Sequence, residues 1–364
     1  MRNVRRLAAA ALLTLVVAGL AACGDDSGSP EDAGRTGSAV SAERCEQNEA
    51  AGTVTYLSGY YWQASASILE VIAADALGYF TDLCLDVRLQ PGPGDVSQNT
   101  KLLASGQVKI GGLSQQDTIT ANANGLEIVG VSSYSDAGLD VLMTRPDVTD
   151  LAQLKGKVLG HKGWVPMGVS AMLASAGLAA DDVEQVKVGY DPTILPRRDV
   201  DALVGFISNE PEQLRAAGEE VTVWEPKDFG VPGSIGAFAA NPEFAEQHPT
   251  AVEDFLRAVF RAYQYCAEDA HVAECIGFQN ERAGAEADPE HETTVWTTET
   301  RVIAENPLPV KWGSVDPANV RALAGLISQY GGVAVTPDQA AGWFDSSFAD
   351  AVVDDSGTVV WPAP

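Results

Sequence analysis

Histidine, cysteine and positive charge are scarce in this sequence. It holds 4 histidines, 5 cysteines and 23 lysines and arginines against 50 aspartates and glutamates, for a formal charge of −27 over 364 residues. Such an acidic surface repels nucleic-acid phosphates, which argues against a nucleic-acid partner. It gives no long-range attraction to an anionic ligand, and most of it serves solubility. The four histidines, His161, His248, His271 and His291, lack metal-ligand spacing, so neither a metal nor a cofactor is expected. No Gly-x-Ser-x-Gly elbow, Walker loop or His-Glu-x-x-His segment occurs. Carboxylates scattered through so acidic a chain do not define a catalytic pair, and the chain reads as a non-enzyme. Repeats of solenoid period are also missing. Long apolar runs are confined to the start of the chain.

That start has the pattern of an export signal. Arg2, Arg5 and Arg6 precede an apolar run over 7–19, and Leu20-Ala21-Ala22 precede Cys23. The run is short for a membrane span and its small residues suit a signal peptidase, so 1–22 is expected to be a signal peptide. Cys23 in this setting resembles the lipobox of bacterial lipoproteins, which implies lipidation there. The alternative is an ordinary secretory signal with a chance cysteine. Residues 24–41 are rich in Gly, Ser, Asp and Glu, so 23–44 reads as a flexible tether. The expected protein is extracytoplasmic and lipid-anchored to a bacterial cell membrane.

Four cysteines remain, and an even number in an exported chain points to disulfides with three possible connectivities. Cys266 and Cys275 flank a short polar stretch and are paired, which leaves Cys45 with Cys84. Metal ligation, or a free core cysteine in Leu83-Cys84-Leu85, are the competing readings.

Strand-like runs alternate with helical patterns. Strands are expected at 53–57, 84–89, 108–112 and 127–133, with helices at 64–77, 96–104 and 115–123 between them. This βαβ rhythm implies a parallel sheet with ligands at the carboxyl ends of its strands. A second α/β unit follows from about 141, and the chain turns mostly helical after 234–240. Val252, Phe255, Leu256, Val259, Phe260 and Tyr263 keep helical spacing over 249–266. Asp316-Pro317 opens a later helix that ends near Gly331. One unit interrupted by another suggests two lobes joined by two crossings, near 138–144 and 232–237. The expected division is 45–140 and 234–364 in lobe 1 and 141–233 in lobe 2, with a hinged cleft between them.

Three segments carry a family likeness: Ala73-Ala74-Asp75-Ala76-Leu77-Gly78-Tyr79-Phe80, Leu85-Asp86-Val87, and Leu154-Lys155-Gly156-Lys157-Val158. In this order and spacing they resemble the solute-binding lipoproteins of bacterial ABC importers that take alkanesulfonates, nitrate, taurine and thiamine pyrimidine precursors. The resemblance implies an α/β, two-lobed periplasmic-binding-protein fold of type II, with two parallel-rich sheets, helices on both faces and a ligand cleft between lobes. It implies a small-molecule ligand, an ABC permease and ATPase as partners, and a monomer. The run Asp201-Ala202 to Asn209-Glu210-Pro211 is similar to the thiamine-precursor branch. A eukaryotic branch of the fold synthesises that pyrimidine with a Cys-Cys-Cys-Phe-Cys motif, which this chain lacks.

The candidate ligand-binding residues lie after the strands. Asn209 and Glu210 offer an acceptor-rich edge for an exocyclic amine; the competing reading is that they cap the next helix. Tyr60, Tyr61 and Trp62 form an aromatic trio able to clamp a flat ring, with Trp62 the first choice and Gln63 reading the ring edge. The trio departs from the family, many of whose members carry small or polar residues and a proline there. Ser114, Gln115 and Tyr134 follow the next strands. Trp164 and Tyr190 would face them from the second lobe, while His161 and Lys162 read equally well as surface residues. The expected ligand is a small aromatic nitrogen heterocycle. A flavin or an alkanesulfonate are alternatives, the latter needing Arg145, Lys162, Arg197 or Arg198 at the cleft. A ligand-sensing receptor partner is the alternative role.

Overall fold

The computed structural model describes residues 39–284 and 288–364. The expected signal peptide, the lipidation at Cys23 and the tether as far as residue 38 lie outside the described residues. The strands are β1 (Thr53–Leu57), β2 (Asp86–Gln90), β3 (Ile110–Gly112), β4 (Val129–Ser132), β5 (Asp140–Thr144), β6 (Val158–His161), β7 (Glu184–Lys187), β8 (Ala202–Phe206), β9 (Thr222–Trp224) and β10 (Phe238–Ala240). They form two mixed sheets, β2-β1-β3-β10-β4 (sheet 1) and β7-β6-β8-β5-β9 (sheet 2). In sheet 1, β10 runs antiparallel to β3 and β4 while β1 pairs parallel with β2 and β3. In sheet 2, β5 runs antiparallel to β8 and β9 while β6 pairs parallel with β7 and β8. The two sheets therefore repeat one topology, each with its antiparallel strand in fourth place.

Both faces of each sheet are covered, as parallel strands require. Val54 and Tyr56 of β1 pack with the helices Leu69–Ala76 and Pro249–Cys266, and Leu57 packs on the other side with Leu103 and Val108. In sheet 2, Val141 and Met143 face one way, and Leu142 faces the other with Val169 and Met172. This period-2 alternation is what turns each strand into a partition between two apolar layers.

The structure moves several expected boundaries. The helix expected over 64–77 begins only at Leu69, because Ser67 adopts a left-handed φ of 65° and its N–H donates to the Glu70 carboxylate (2.6 Å). Cys84 lies outside β2, also left-handed (φ 57°), and is bridged to Cys45; Cys266 is bridged to Cys275. The folded body starts before Cys45. Ala42–Ala50 is a helix capped by Ser41, and Arg44 on it donates to the buried Asp254 (2.8 Å) and to Glu253 (2.6 Å). An arginine so paired belongs to the folded body, so the last residues assigned to the tether are structural.

Two crossings connect the sheets, 133–139 from β4 to β5 and 225–237 from β9 to β10. They run side by side. Tyr134 N–H donates to Ile235 O (3.0 Å), Ile235 N–H to Ser135 O (3.1 Å) and Gly233 N–H to Asp136 O (2.9 Å). A Cβ on Gly233 would lie 2.4 Å from the Gly138 nitrogen, so only glycine permits this approach. Asn319, on the helix Pro317–Tyr330, donates to Gly233 O (2.8 Å) and to Gln115 Oε1 (3.0 Å), tying the second crossing to sheet 1.

Candidate functional site

The loops that leave β1, β3 and β4 at their carboxyl ends carry Tyr60–Gln63, Ser114–Gln115 and Tyr134. The corresponding loops of β6, β7 and β8 carry Lys162–Trp164, Tyr190 and Asn209–Glu210. Contacts join the two sets. Ser208 Oγ, after β8, donates to Glu299 Oε1 (2.9 Å). Glu299 also accepts from Ser65 Oγ (2.8 Å) and Ala66 N–H (2.8 Å), after β1. Burial raises the pKa of the Tyr60 phenol, and the Tyr190 and Tyr61 hydroxyls add to the rise.

The rim is aromatic. Tyr60 (40%), Tyr61 (54%), Trp164 (75%), Tyr190 (73%) and Phe206 (47%) are exposed, all at carboxyl-end loops or strand ends. Tyr60 and Tyr61 meet edge-on with centroids 4.9 Å apart. Trp62 is half-buried, and its carbonyl accepts from Gln279 Nε2 (3.2 Å). Gln63 is half-buried beside it. Five large rings left in water across the two sets of loops is an unusual concentration of apolar surface.

Below the rim the polar groups are acids. Glu210 is 1% exposed. Its side chain turns back on β8, accepting from Phe206 N–H (2.7 Å) and Asn209 Nδ2 (3.1 Å), and it pairs with the Lys162 ammonium. Gly205 makes room for it, since a Cβ there would stand 2.6 Å from Glu210 Oε2. Asn209 makes no capping bond to the helix Glu210–Ala216 and instead accepts from Gln213 (2.7 Å). Lys162 is no plain surface residue: burial draws its pKa down to about 8, while the carboxylate beside it favours the charged form. Its ammonium also lies 5.2 Å from the Tyr190 ring centroid.

Other expected site residues are committed elsewhere. Ser114 forms a capping box with Asp117 at the start of the helix Gln115–Ala123. Gln115 is fully buried and accepts from Asn319. Tyr134 is fully buried, with its ring stacked on Trp312 (5.0 Å, 10°). A separate depression of about 500 Å³, lined by Tyr134, Tyr263, Trp312, Thr300 and Arg301, lies against the helix Pro289–Glu305 and is not built by the strand-end loops, apart from Tyr134.

Two acids escaped the reading of the sequence. Glu70 is fully buried, and burial raises its carboxyl to about 8, with the nearby Glu299 adding to the rise. Glu299 is 1% exposed and raised to about 7, again chiefly by burial. A signal was present: Glu70 interrupts Leu69-Val71-Ile72, and Glu299 interrupts the stripe Val295, Trp296, Val302, Ile303. Among the described residues no cluster of three His, Cys, Asp or Glu side chains is placed to hold a metal ion.

Comparison with known proteins agrees with this architecture. The family model described as NMT1/THI5 like matches residues 65–273, more than half of the chain. A formylaminopyrimidine-binding protein of Halalkalibacterium halodurans is 28% identical, over 61% of this chain and 68% of its own. A 4-amino-5-hydroxymethyl-2-methylpyrimidine phosphate synthase of Candida albicans is 26% identical, over 56% of this chain and 65% of its own. Among solved structures, the periplasmic aliphatic sulphonate binding protein SsuA of Escherichia coli superposes with a TM-score of 0.60 at 16% identity, over 77% of this chain and 87% of its own. The fold is that of the periplasmic binding proteins, and the chain belongs to the NMT1/THI5-like family.

Proposed function

We propose that this NMT1/THI5-like protein is an extracytoplasmic solute-binding protein of an ABC importer, tethered by a lipid at Cys23, which captures a small aromatic nitrogen heterocycle of the thiamine-precursor type. Residues 45–140 and 234–364 form one lobe and 141–233 the other. They close about the paired crossings, and the captured ring is stacked by the exposed tyrosines and Trp164. The carrying observation is the charge balance beneath the aromatic rim. Glu70, Glu210 and Glu299 are buried there, against Lys162 as the cation that pairs with Glu210. Such a cleft favours a ligand that donates hydrogen bonds, as an aminopyrimidine edge does. The name of the Halalkalibacterium halodurans relative supports the same class.

Capture is favoured over synthesis because the chain has no Cys-Cys-Cys-Phe-Cys run. A sulfonate ligand is disfavoured by the fate of Arg145 and Arg197. Arg145 is spent on Val200 O (2.9 Å) and Asp201 (3.1 Å), beside the start of β8 and hence at the end opposite the rim. Arg197 pairs with Asp191 and Asp199. Thermal melts of the purified protein with 4-amino-2-methylpyrimidine, formylaminopyrimidine, riboflavin and pentanesulfonate test the assignment. A ligand held at about 100 times its Kd stabilises by about 2.7 kcal/mol, a shift of several degrees. The pyrimidines are expected to give it. A shift with the sulfonate or the flavin alone refutes the assignment.

A further inference from the structure

The helix Pro289–Glu305 carries a polar row along one side. Glu292, Glu299 and, just past the helix end, Asn306 follow one another at intervals of seven residues, about two turns. Each meets a different segment. Glu292 accepts from Ala64 N–H, and Glu299 from Ser65 Oγ (2.8 Å) and Ala66 N–H (2.8 Å), all after β1. The Asn306 carbonyl accepts from Ser135 Oγ (3.0 Å) on the first crossing. Ser208, after β8 of sheet 2, donates to Glu299 Oε1 (2.9 Å).

The donors on Glu299 are unequal. Oε2 has Ala66 N–H to itself. Ser65 Oγ lies 2.9 Å from Oε1 and 2.8 Å from Oε2, but a hydroxyl has one proton to share between them. Ser208 thus brings Oε1 its one undivided donor, and both residues are buried, where such a bond counts for most. The sheets also meet through an apolar seam, in which Met167 and Ala171 pack against the cluster holding Val320, Leu323 and Ile327. An apolar seam can slide with little loss, whereas a hydrogen bond between buried groups is made or broken.

We infer, resting on the capture function proposed above, that the Ser208–Glu299 bond is a latch between the two halves, made when the cleft shuts and broken when it opens, and that it sets how long a captured ligand stays. Ser208 travels with sheet 2 and Glu299 with sheet 1, so any opening about the crossings separates them. Glu299 keeps Ser65 and Ala66 throughout, and water takes the place of Ser208 in the open form. Both are positioning residues and neither touches the ligand.

Two measurements test this: stopped-flow fluorescence with 4-amino-2-methylpyrimidine, and small-angle X-ray scattering of the ligand-free protein. Both are made at pH 8, above the value of about 7 to which burial raises the Glu299 carboxyl, so that the acid is ionised. Loss of a hydrogen bond to a charged group predicts that Ser208→Ala releases the probe about tenfold faster, while its association rate stays within about twofold of the wild type. The ligand-free variant is expected to show a larger radius of gyration, because fewer molecules are shut. Ser208→Thr keeps the hydroxyl and is expected to restore slow release and the smaller radius, which a packing role for Ser208 would not do. If the wild type does not bind the probe, the capture function fails, and the scattering comparison still decides the latch. If Ser208→Ala keeps the wild-type radius of gyration, or releases a bound probe at the wild-type rate, the inference is overturned.

Discussion

At the carboxyl ends of sheet 1 the buried acids Glu70 and Glu299 face tyrosines and serines, whereas at the same ends of sheet 2 the buried acid Glu210 faces Lys162. The two sheets have the same strand order and place their antiparallel strand alike. What differs is the state in which each end keeps its charge. In sheet 2 the ion pair neutralises itself, and the aromatic surface of Trp164 and Tyr190 is presented outward. In sheet 1 the acids are held by hydroxyls and N–H groups, with proton affinity raised. One topology thus carries exposed rings above a neutralised ion pair at one end and buried acids among hydroxyls at the other.

The largest effect should come from breaking the pair on sheet 2. Glu210→Ala strands a largely buried Lys162 and leaves Phe206 N–H without its acceptor. Removing one member of a buried ion pair costs about 3–5 kcal/mol, and chemical denaturation should show a loss near 3, because Lys162 retains some solvent access. The double variant Lys162→Met with Glu210→Gln should recover at least half, since two neutral groups pack where one lone charge could not. A loss from Glu210→Ala below about 0.5 kcal/mol, the range of an ordinary surface change, would show that the two ends do not differ in this way.

A smaller effect separates the ends by pH. Glu70, at about 8, and Glu299, at about 7, lie above the ordinary 4.5 in the folded protein. Folding therefore binds protons between these values, and the stability these acids contribute is full below about pH 4.5 and is lost as pH rises through 7 to 8. Asp136 and Asp140, both raised to about 7 by burial, add to the same slope. Lys162 acts above this window: depressed to about 8, its contribution is full above its ordinary 10.5 and is lost as pH falls through 8. Melting temperature should thus fall from pH 5 to pH 7.5 in the wild type. It should fall less steeply in Glu70→Gln and in Glu299→Gln. Equal slopes in all three proteins would remove these two acids as the source of the pH dependence.

Local elements were legible because their determinants are local. β1, the helix Val96–Ala104 behind its Asp95 cap, the helix Pro249–Cys266 and the helix Pro317–Tyr330 behind Asp316 all sit where periodicity and capping chemistry put them. The first crossing, expected at 138–144, lies at 133–139, because 140–144 pairs as β5; the second, expected at 232–237, is the end of the longer segment 225–237. The floor of the site was not legible, because it is made by long-range contacts. Glu299 meets Ser65 and Ser208 only once the C-terminal helices fold back over sheet 1. Nor could a loop sequence tell that Ser114 spends its hydroxyl on Asp117, or that Gln115 turns inward to Asn319. Asn209-Glu210 had two readings in the sequence, ligand edge or helix cap. The geometry shows a third use, an acid folded back onto the strand before it and neutralised by a lysine from the β6 loop.

The smallest effect tests the wall of sheet 2 without touching its stability. Trp164 is 75% exposed, so Trp164→Ala removes little buried area and should change the free energy of unfolding by less than about 0.5 kcal/mol. If the ring stacks on a captured heterocycle only when the cleft closes, the same change should weaken binding by about 1 kcal/mol, close to fivefold in Kd. Because a stacking surface is indifferent to an amino group, 4-amino-2-methylpyrimidine and 2,4-dimethylpyrimidine, which carries a methyl group in place of the amine, should lose affinity equally. Equal binding by wild type and Trp164→Ala would leave the indole as plain surface. A selective loss of the amino ligand would make the indole a reader of the amine and not a stacking wall.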